Sequence, residues 1–309
     1  MKRLSIIVPC YNEEPALHLF FNVLKQEVSK LSVSVEYIFI NDGSKDKTLQ
    51  ILKEIKVNNL ELQIHIINFS RNFGKESGIL AGLKESTGDF VVLMDADLQD
   101  PPYLLSEMLR QMEEEDYDSV ATYRVDRKGE PPIRSFFARK FYQLINKISD
   151  VTIMDGARDY RMMSRVMVDS IISLSEYHRF SKGIFAWVGF NTKYMEFENV
   201  ERIAGETKWS FWKLVRYAIE GIVAFTTAPL RISIFFGFVV SFMAFFYMVF
   251  VVIKALLYGD PVAGYPSMMT IILFLGGIQL LSIGVLGEYL AKTYMEVKHR
   301  PNYIIKDRY

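Results

Sequence analysis

The sequence has 309 residues, 36 Lys+Arg balanced by 36 Asp+Glu, and half of its residues are hydrophobic. Zero net charge without a dense basic tract argues against a nucleic-acid partner. A single cysteine, Cys10, excludes an intramolecular disulfide and a cysteine-rich zinc site, and the four histidines (His18, His65, His178, His299) form no close metal-binding pair.

In chain order, residues 4–9 read as a strand and 15–31 as a helix. A second strand is predicted over 35–40, ending in Asn41-Asp42-Gly43-Ser44, a turn sequence suited to cap a helix beginning near Asp46. A third strand over 62–68 leads to a helix over 72–86, whose Gly78 and Gly82 share one face and permit close approach to a sheet. Residues 89–94 are nearly all apolar, as expected for a central strand covered on both sides, and run into Asp95-Ala96-Asp97. A helix over 103–115 and a strand over 119–123 follow. The alternation predicts an α/β fold with an open, mostly parallel sheet. Ligands in such folds bind beyond the C-terminal ends of the strands, where Pro9, Asn41-Asp42 and Asp95–Asp97 fall. No GxGxxG follows the first strand and no GxxxxGK[ST] occurs, so dinucleotide-binding and P-loop readings lack support.

Residues 126–208 are less regular. Over 133–148, Phe136, Phe137, Phe141, Leu144 and Ile148 form an apolar side, with Arg134, Arg139, Lys140 and Lys147 available to face phosphates. An interfacial helix and a helix packed on the sheet both fit that pattern. Residues 209–228 carry Trp209, Phe211, Trp212 and Tyr217 among Lys213 and Arg216, which suits the membrane surface.

Charge then becomes sparse: residues 209–309 hold nine Lys+Arg and five Asp+Glu. The 22 residues 232–253 and the 27 residues 261–287 carry no charge. At about 1.5 Å per residue, the first run reaches roughly 33 Å, enough to cross a bilayer. Two such runs joined by a short connector read as a membrane hairpin rather than a pair of core helices. The expected organisation is a catalytic domain over 1–208, an interfacial segment over 209–230, spans over 232–253 and 265–287, and a tail over 290–309. Lys213, Arg216 and Arg231 precede the first span, and Lys292, Lys298 and Arg300 follow the second, which places both termini in the cytoplasm. Met1-Lys2-Arg3 leads into a run ending at Pro9, too brief for a signal-peptide core, so the catalytic region is also expected there. Neither span contains an ionisable residue, which argues against an ion pathway, and Gly276, Gly277, Gly284 and Gly287 suit close helix packing.

Asp95-x-Asp97 at the end of a buried strand is the strongest chemical signal. Two carboxylates so spaced can converge on one hard cation, Mg²⁺ or Mn²⁺, with water and a diphosphate filling the other positions. Gln99-Asp100-Pro101-Pro102 holds a compact polar loop behind them. Asp42, beside Gly43, and Glu13, in Pro9-Cys10-Tyr11-Asn12-Glu13, are candidate acceptors from a base or ribose. Arg71 and Lys75, in Ser70-Arg71-Asn72-Phe73-Gly74-Lys75, add positive charge near the proposed phosphates.

These four segments, together with Asp155-Gly156-Ala157-Arg158-Asp159-Tyr160-Arg161, Arg202-x-Ala204-Gly205-Glu206-Thr207-Lys208-Trp209-Ser210 and the two spans, resemble the family 2 glycosyltransferases of GT-A fold. More narrowly, the chain resembles the polyisoprenyl-phosphate glycosyltransferases, which include dolichol-phosphate mannose synthases and bacterial undecaprenyl-phosphate glucosyl- and N-acetylglucosaminyltransferases. The resemblance implies that Pro9, Tyr11, Glu13 and Asp42 form the nucleoside pocket and that Asp95 meets the donor ribose or sugar diphosphate. Asp97 would be the principal metal ligand, with Asp95 and Gln99 assisting. Asp159 and Arg161 would stand on the acceptor side of the reacting centre. Arg202 and Lys208 would bind phosphate on a mobile loop, where Glu206 departs from the family's neutral or small residue. Arg124, Arg127, Lys128, Arg134 and Arg139 are candidate lipid-phosphate ligands, Arg134 and Arg139 foremost.

The implied reaction is inverting transfer of one sugar from a nucleotide sugar to undecaprenyl phosphate at a bacterial plasma membrane. UDP-N-acetylglucosamine is the first expected donor and UDP-glucose the next, and a homo-oligomer, a tetramer by analogy, is expected. A processive polysaccharide synthase fits less well, because only two spans and no QxxRW sequence occur. A non-catalytic scaffold fits poorly with both aspartates present.

Overall fold

A computed structural model describes residues 2–124, 156–197, 226–258 and 264–309, with residues 143, 146, 147, 152 and 154 between them. Arg127, Arg134, Arg139, Arg202 and Lys208 therefore lie outside the described residues, as do Lys128 and nearly all of both expected interfacial segments.

Four strand–helix units open the chain: β1 (Arg3–Cys10) and α1 (Leu17–Val28), β2 (Ser34–Asn41) and α2 (Thr48–Val57), β3 (Gln63–Phe69) and α3 (Lys75–Glu85), β4 (Phe90–Leu93) and α4 (Leu104–Glu114). Then come β5 (Ser119–Arg124), β6 (Ala157–Ser164), α5 (Arg165–Ser173), α6 (Ser181–Trp187) and β7 (Thr192–Phe197). Two long helices, α7 (Ala228–Tyr258) and α8 (Tyr265–Val297), precede a last strand, β8 (Ile305–Arg308).

The strands form one sheet in the order β7-β5-β6-β4-β1-β2-β3-β8. β1 pairs in parallel with β2 and β4, β2 with β3, and β5 with β7. β6 runs antiparallel to both β4 and β5, and β8 antiparallel to β3. The expected open α/β sheet is present, with a parallel centre and antiparallel strands inserted on either side of it.

Strand alternation divides the core between the two faces. Ile6, Val8, Tyr37 and Phe39 face Leu17, Phe20, Leu24 and Leu105 from α1 and α4. Ile7, Ile38, Ile40, Val91 and Leu93 face α3, α5 and α6, where Ile79, Leu83, Met167, Ile171 and Phe185 pack. Gly82 permits this second layer: a Cβ there would fall inside the Ile7 side chain, and one at Gly78 would touch Pro9 at 3.4 Å. α3 thus lies directly on β1, and its first turn reaches the C-terminal edge of the sheet.

The helix after β2 begins at Thr48, behind Lys47 at the N-cap position, and Asp46 just before it accepts from the Thr48 amide at 3.0 Å. Ser44 instead accepts from the Asn12 amide at 3.0 Å. α7 and α8 leave their apolar surfaces uncovered; Phe238, Phe242 and Phe246 are each more than half exposed along α7. The α8 helix runs ten residues beyond the expected span, to Val297, and the segment expected as a tail returns as β8.

Candidate active site

Register explains why residues far apart in sequence converge. β4 and β6 pair with Val91 opposite Met163 and Leu93 opposite Arg161. Continued by one more pair on the same face, that register sets Asp95 opposite Asp159. Both emerge on the side covered by α3, whose first residue is Lys75. The Lys75 ammonium lies 2.7 and 2.8 Å from the two Asp95 carboxylate oxygens and 2.8 Å from an Asp159 oxygen. Its side chain is 42% exposed, so the cluster sits at the mouth of the site rather than in the core.

The cluster is positioned by buried polar contacts. Asp42, at the end of β2, accepts from the Phe73 amide at 2.6 Å and the Gly74 amide at 2.9 Å. Both oxygens are spent on the turn that launches α3, where Gly74 has φ +97°, a left-handed conformation that favours glycine. Burial raises the Asp42 pKa against the lowering pull of those amides and Arg71. The resemblance places Asp42 beside the base; the structure adds that it holds Lys75 at the sheet edge.

Asp100 does comparable work for the aspartate loop. Almost wholly buried, it accepts from the Asp95 amide at 3.0 Å and from the Arg158 guanidinium at 3.1 Å. Burial pushes its carboxyl up to about 6 against the pull of Arg158. Tyr160 donates to the Pro101 carbonyl at 3.1 Å, and the Gln99 amide to Asp97 at 3.1 Å. Leu98 sits at φ +58°, a strained conformation of the kind that collects at functional loops.

Pro9, Tyr11 and Glu13 stand at the neighbouring strand end. The Asn12, Glu13 and Glu14 amides donate in succession to Ser44, Thr48 and Asp46, which stitches the β1–α1 loop to the β2–α2 loop. Tyr11 is exposed beside them. Pro9, Asp42, Asp95, Asp97 and Gln99 thus share one edge of the sheet with Tyr11 and Glu13.

Asp159 is held far below the usual carboxylate range: burial opposes this, and Lys75, Lys182 and Arg158 outweigh it. Arg161 is buried: the residue is 3% exposed, and its guanidinium lies 4.0 Å over the Phe185 ring. Burial lowers its pKa to about 10, so it remains a cation near neutrality beneath Asp159.

Sequence reasoning missed Glu76. It accepts from the Ser181 amide at 3.0 Å and also from the Ser181 hydroxyl, so it ties the start of α6 to the start of α3. An acid in the first turn of a helix is an ordinary dipole complement, and only its three-dimensional partner sets it apart.

The donor set for a cation is oxygen only. Among the described residues no group of three or more His, Cys, Asp or Glu converges on one point. Both Asp95 oxygens are already engaged by Lys75, which leaves Asp97 as the leading carboxylate. One or two carboxylates, with a substrate diphosphate and water completing the shell, is a common arrangement for Mg²⁺, and these residues fit it.

Comparison with known proteins identifies the family. Residues 5–172 match the Glycosyl transferase family 2 description, and residues 228–293 match the GtrB C-terminal hairpin. The chain is 43% identical over 304 residues to CsbB of Bacillus subtilis, named provisionally as a glycosyltransferase, covering 98% of this chain and 91% of that one. It is 42% identical over 304 residues to the prophage bactoprenol glucosyl transferase homolog of Escherichia coli K12, covering 98% of each. The bactoprenol glucosyl transferase of Shigella phage SfX is 42% identical over 306 residues, covering 99% of both chains.

Proposed function

The chain belongs to glycosyl transferase family 2 and carries the GtrB C-terminal hairpin, and from that premise we propose that it transfers one glucose, with inversion, from UDP-glucose to undecaprenyl phosphate. Near-full-length likeness to proteins named bactoprenol glucosyl transferases puts UDP-glucose ahead of UDP-N-acetylglucosamine, reversing the order expected from sequence. The observation that carries the reading is one sheet edge gathering Asp95, Asp97, Lys75 and Asp159 in a chain whose apolar hairpin is exposed for lipid.

The chemistry follows from charge. As the anomeric bond breaks, the diphosphate leaving group gains negative charge. Asp97, assisted by Gln99, would hold Mg²⁺ or Mn²⁺ there, and the ion when bound supplies Lewis-acid stabilisation of that charge. Asp95 orients the donor and is itself held by Lys75. A phosphate monoester has a second pKa near 6 and is mostly dianionic near neutrality, so it attacks without a strong base. Asp159, kept ionised by its cations, is a poor proton acceptor. It orients the acceptor side and keeps Lys75 in place, with Arg161 buried beneath.

The lipid tail keeps the acceptor in the bilayer, so the donor site must come to the headgroups. α7 and α8 contain segments long and apolar enough to cross a membrane, Ala228–Tyr247 and Phe274–Val297. We place both termini and the catalytic domain on the cytoplasmic side, from the basic residues flanking the hairpin. Arg127, Arg134 and Arg139 remain our choice for the lipid phosphate, Arg202 and Lys208 for the donor phosphates, and a homo-oligomer for the assembly.

The test incubates purified protein in lipid nanodiscs containing undecaprenyl phosphate with UDP-glucose, UDP-N-acetylglucosamine or GDP-mannose, with and without Mn²⁺ or Mg²⁺. Lipid-extractable glucose is expected from UDP-glucose. Transfer from N-acetylglucosamine alone would overturn the donor choice, and absence of lipid-linked sugar with every donor would overturn the reaction.

A further inference from the structure

Three successive residues at the start of α3 each hold a different part of the molecule. Lys75 binds Asp95 and Asp159, Glu76 binds Ser181, and the Ser77 hydroxyl donates to the Asn302 carbonyl at 3.0 Å. Asn302 stands five residues beyond the end of α8, the second hairpin helix. Its side-chain amide donates to the Glu176 carbonyl at 3.1 Å and the Tyr177 carbonyl at 3.0 Å. The Tyr177 amide in turn donates to Glu296, on the last turn of α8, at 2.9 Å.

The connection from α8 is short and firmly seated. His299 takes a left-handed φ of +48° just past the helix, and Pro301 cannot continue it. Tyr303 stacks on Phe69 with ring centroids 5.0 Å apart, the Ser70 amide donates to the Ile304 carbonyl at 3.0 Å, and β8 then pairs with β3. The membrane hairpin is thereby fastened to the sheet and, through Asn302 and Ser77, to the turn that carries Lys75.

We propose that Asn302 and Glu296 are positioning residues that clasp the end of the membrane hairpin to the first turn of α3 and so set the donor carboxylates at a fixed height relative to the bilayer-held acceptor. The proposal rests on the transfer reaction assigned above. Neither residue reaches the substrates; both act through the 175–182 segment and Ser77. A loosened clasp leaves the nucleotide pocket intact and spoils only its meeting with an acceptor that cannot leave the membrane.

The test uses full-length protein in nanodiscs and the variants Asn302→Ala, Glu296→Ala and Glu296→Gln. Gln keeps the oxygen that accepts from Tyr177, so Glu296→Gln is expected to match the parent. The two alanine variants are expected to raise the KM for undecaprenyl phosphate about tenfold, a loss of acceptor presentation worth one decade. UDP affinity, and turnover of a water-soluble two-isoprene prenyl phosphate, are expected to stay within twofold. Amide hydrogen exchange over 175–182, the segment that both side chains hold, measured without substrate, is expected to speed up in the alanine variants alone. Equal losses with both acceptors, or none with either, overturn the proposal, as does unchanged exchange in Asn302→Ala. If the parent protein glycosylates neither acceptor, the assigned reaction fails, and the exchange measurement still decides whether the clasp exists.

Discussion

Lys75 meets both carboxylate oxygens of Asp95, at 2.7 and 2.8 Å, and thereby neutralises the residue that begins the aspartate loop. Its second partner, Asp159, comes from a strand that places it 64 positions beyond Asp95 in the sequence. Replacing Lys75 by Met leaves two facing carboxylates without their shared cation. Turnover is expected to fall about 10²-fold, the usual cost of removing a preorganised charge partner. Lys75→Arg is expected to recover little, because a planar fork cannot take the place of a point charge between two acids. Steady-state kinetics with UDP-glucose check this, and a Met variant within threefold of the parent would remove Lys75 from the site.

Asp97 is expected to carry the dependence on divalent cation. In the parent, Mn²⁺ should tighten UDP binding in titration calorimetry and EDTA should reverse the gain. Asp97→Ala should abolish the Mn²⁺ effect and lower turnover about 10³-fold, the scale of several kcal/mol that a metal contributes to a developing diphosphate charge. Metal-enhanced UDP binding that survives in Asp97→Ala would move the ion elsewhere.

Glu76 predicts a pH dependence of stability. Burial first, and then the charge of Asp159, push its carboxyl up to about 7 in the folded protein. In the unfolded chain a glutamate titrates near 4.3. Between those values the folded state binds the extra proton, so this contribution to stability is present at acid pH and is lost as pH rises toward 7. Glu76→Gln removes the titration. Its stability at pH 8 is expected to exceed the parent's by on the order of 1–3 kcal/mol, read as a higher melting temperature, and the difference should shrink toward pH 5. A parent and variant that run parallel from pH 5 to pH 8 would contradict this.

Gly82 tests the layer beneath the site. A methyl group there overlaps Ile7, so Gly82→Ala is expected to cost about 1–3 kcal/mol in spite of alanine's better helix propensity. Thermal unfolding of the detergent-solubilised protein reads the loss. Because α3 carries Lys75, UDP affinity is expected to weaken in the same variant.

The four opening strand–helix units were legible because β1, β2 and β4 are largely apolar runs buried on both faces and β3 alternates Ile64 and Ile66 with exposed residues. Asp95 and Asp97 stood out for the same reason, as charges interrupting such a run. β6 was harder to read. Arg158, Asp159 and Arg161 break its hydrophobic pattern, since its register places Asp159 and Arg161 on the face that builds the site. β8, Ile-Lys-Asp-Arg, has no strand signal of its own and exists because the edge of β3 accepts it. Asn302 and Glu76 looked like a tail residue and a routine helix acid; their importance lies in partners 225 and 105 positions away.

β8 also imposes an order on biogenesis. Its residues leave the ribosome only after both hairpin helices, yet Ile66 of β3 exchanges backbone hydrogen bonds of 2.9 and 3.0 Å with Tyr309. Until that last stretch arrives, β3 has a bare edge of unpaired amides and carbonyls, open to aggregation. The edge of the sheet is therefore closed only once both hairpin helices have been synthesised, which ties completion of the sugar-handling domain to synthesis of its lipid-facing half.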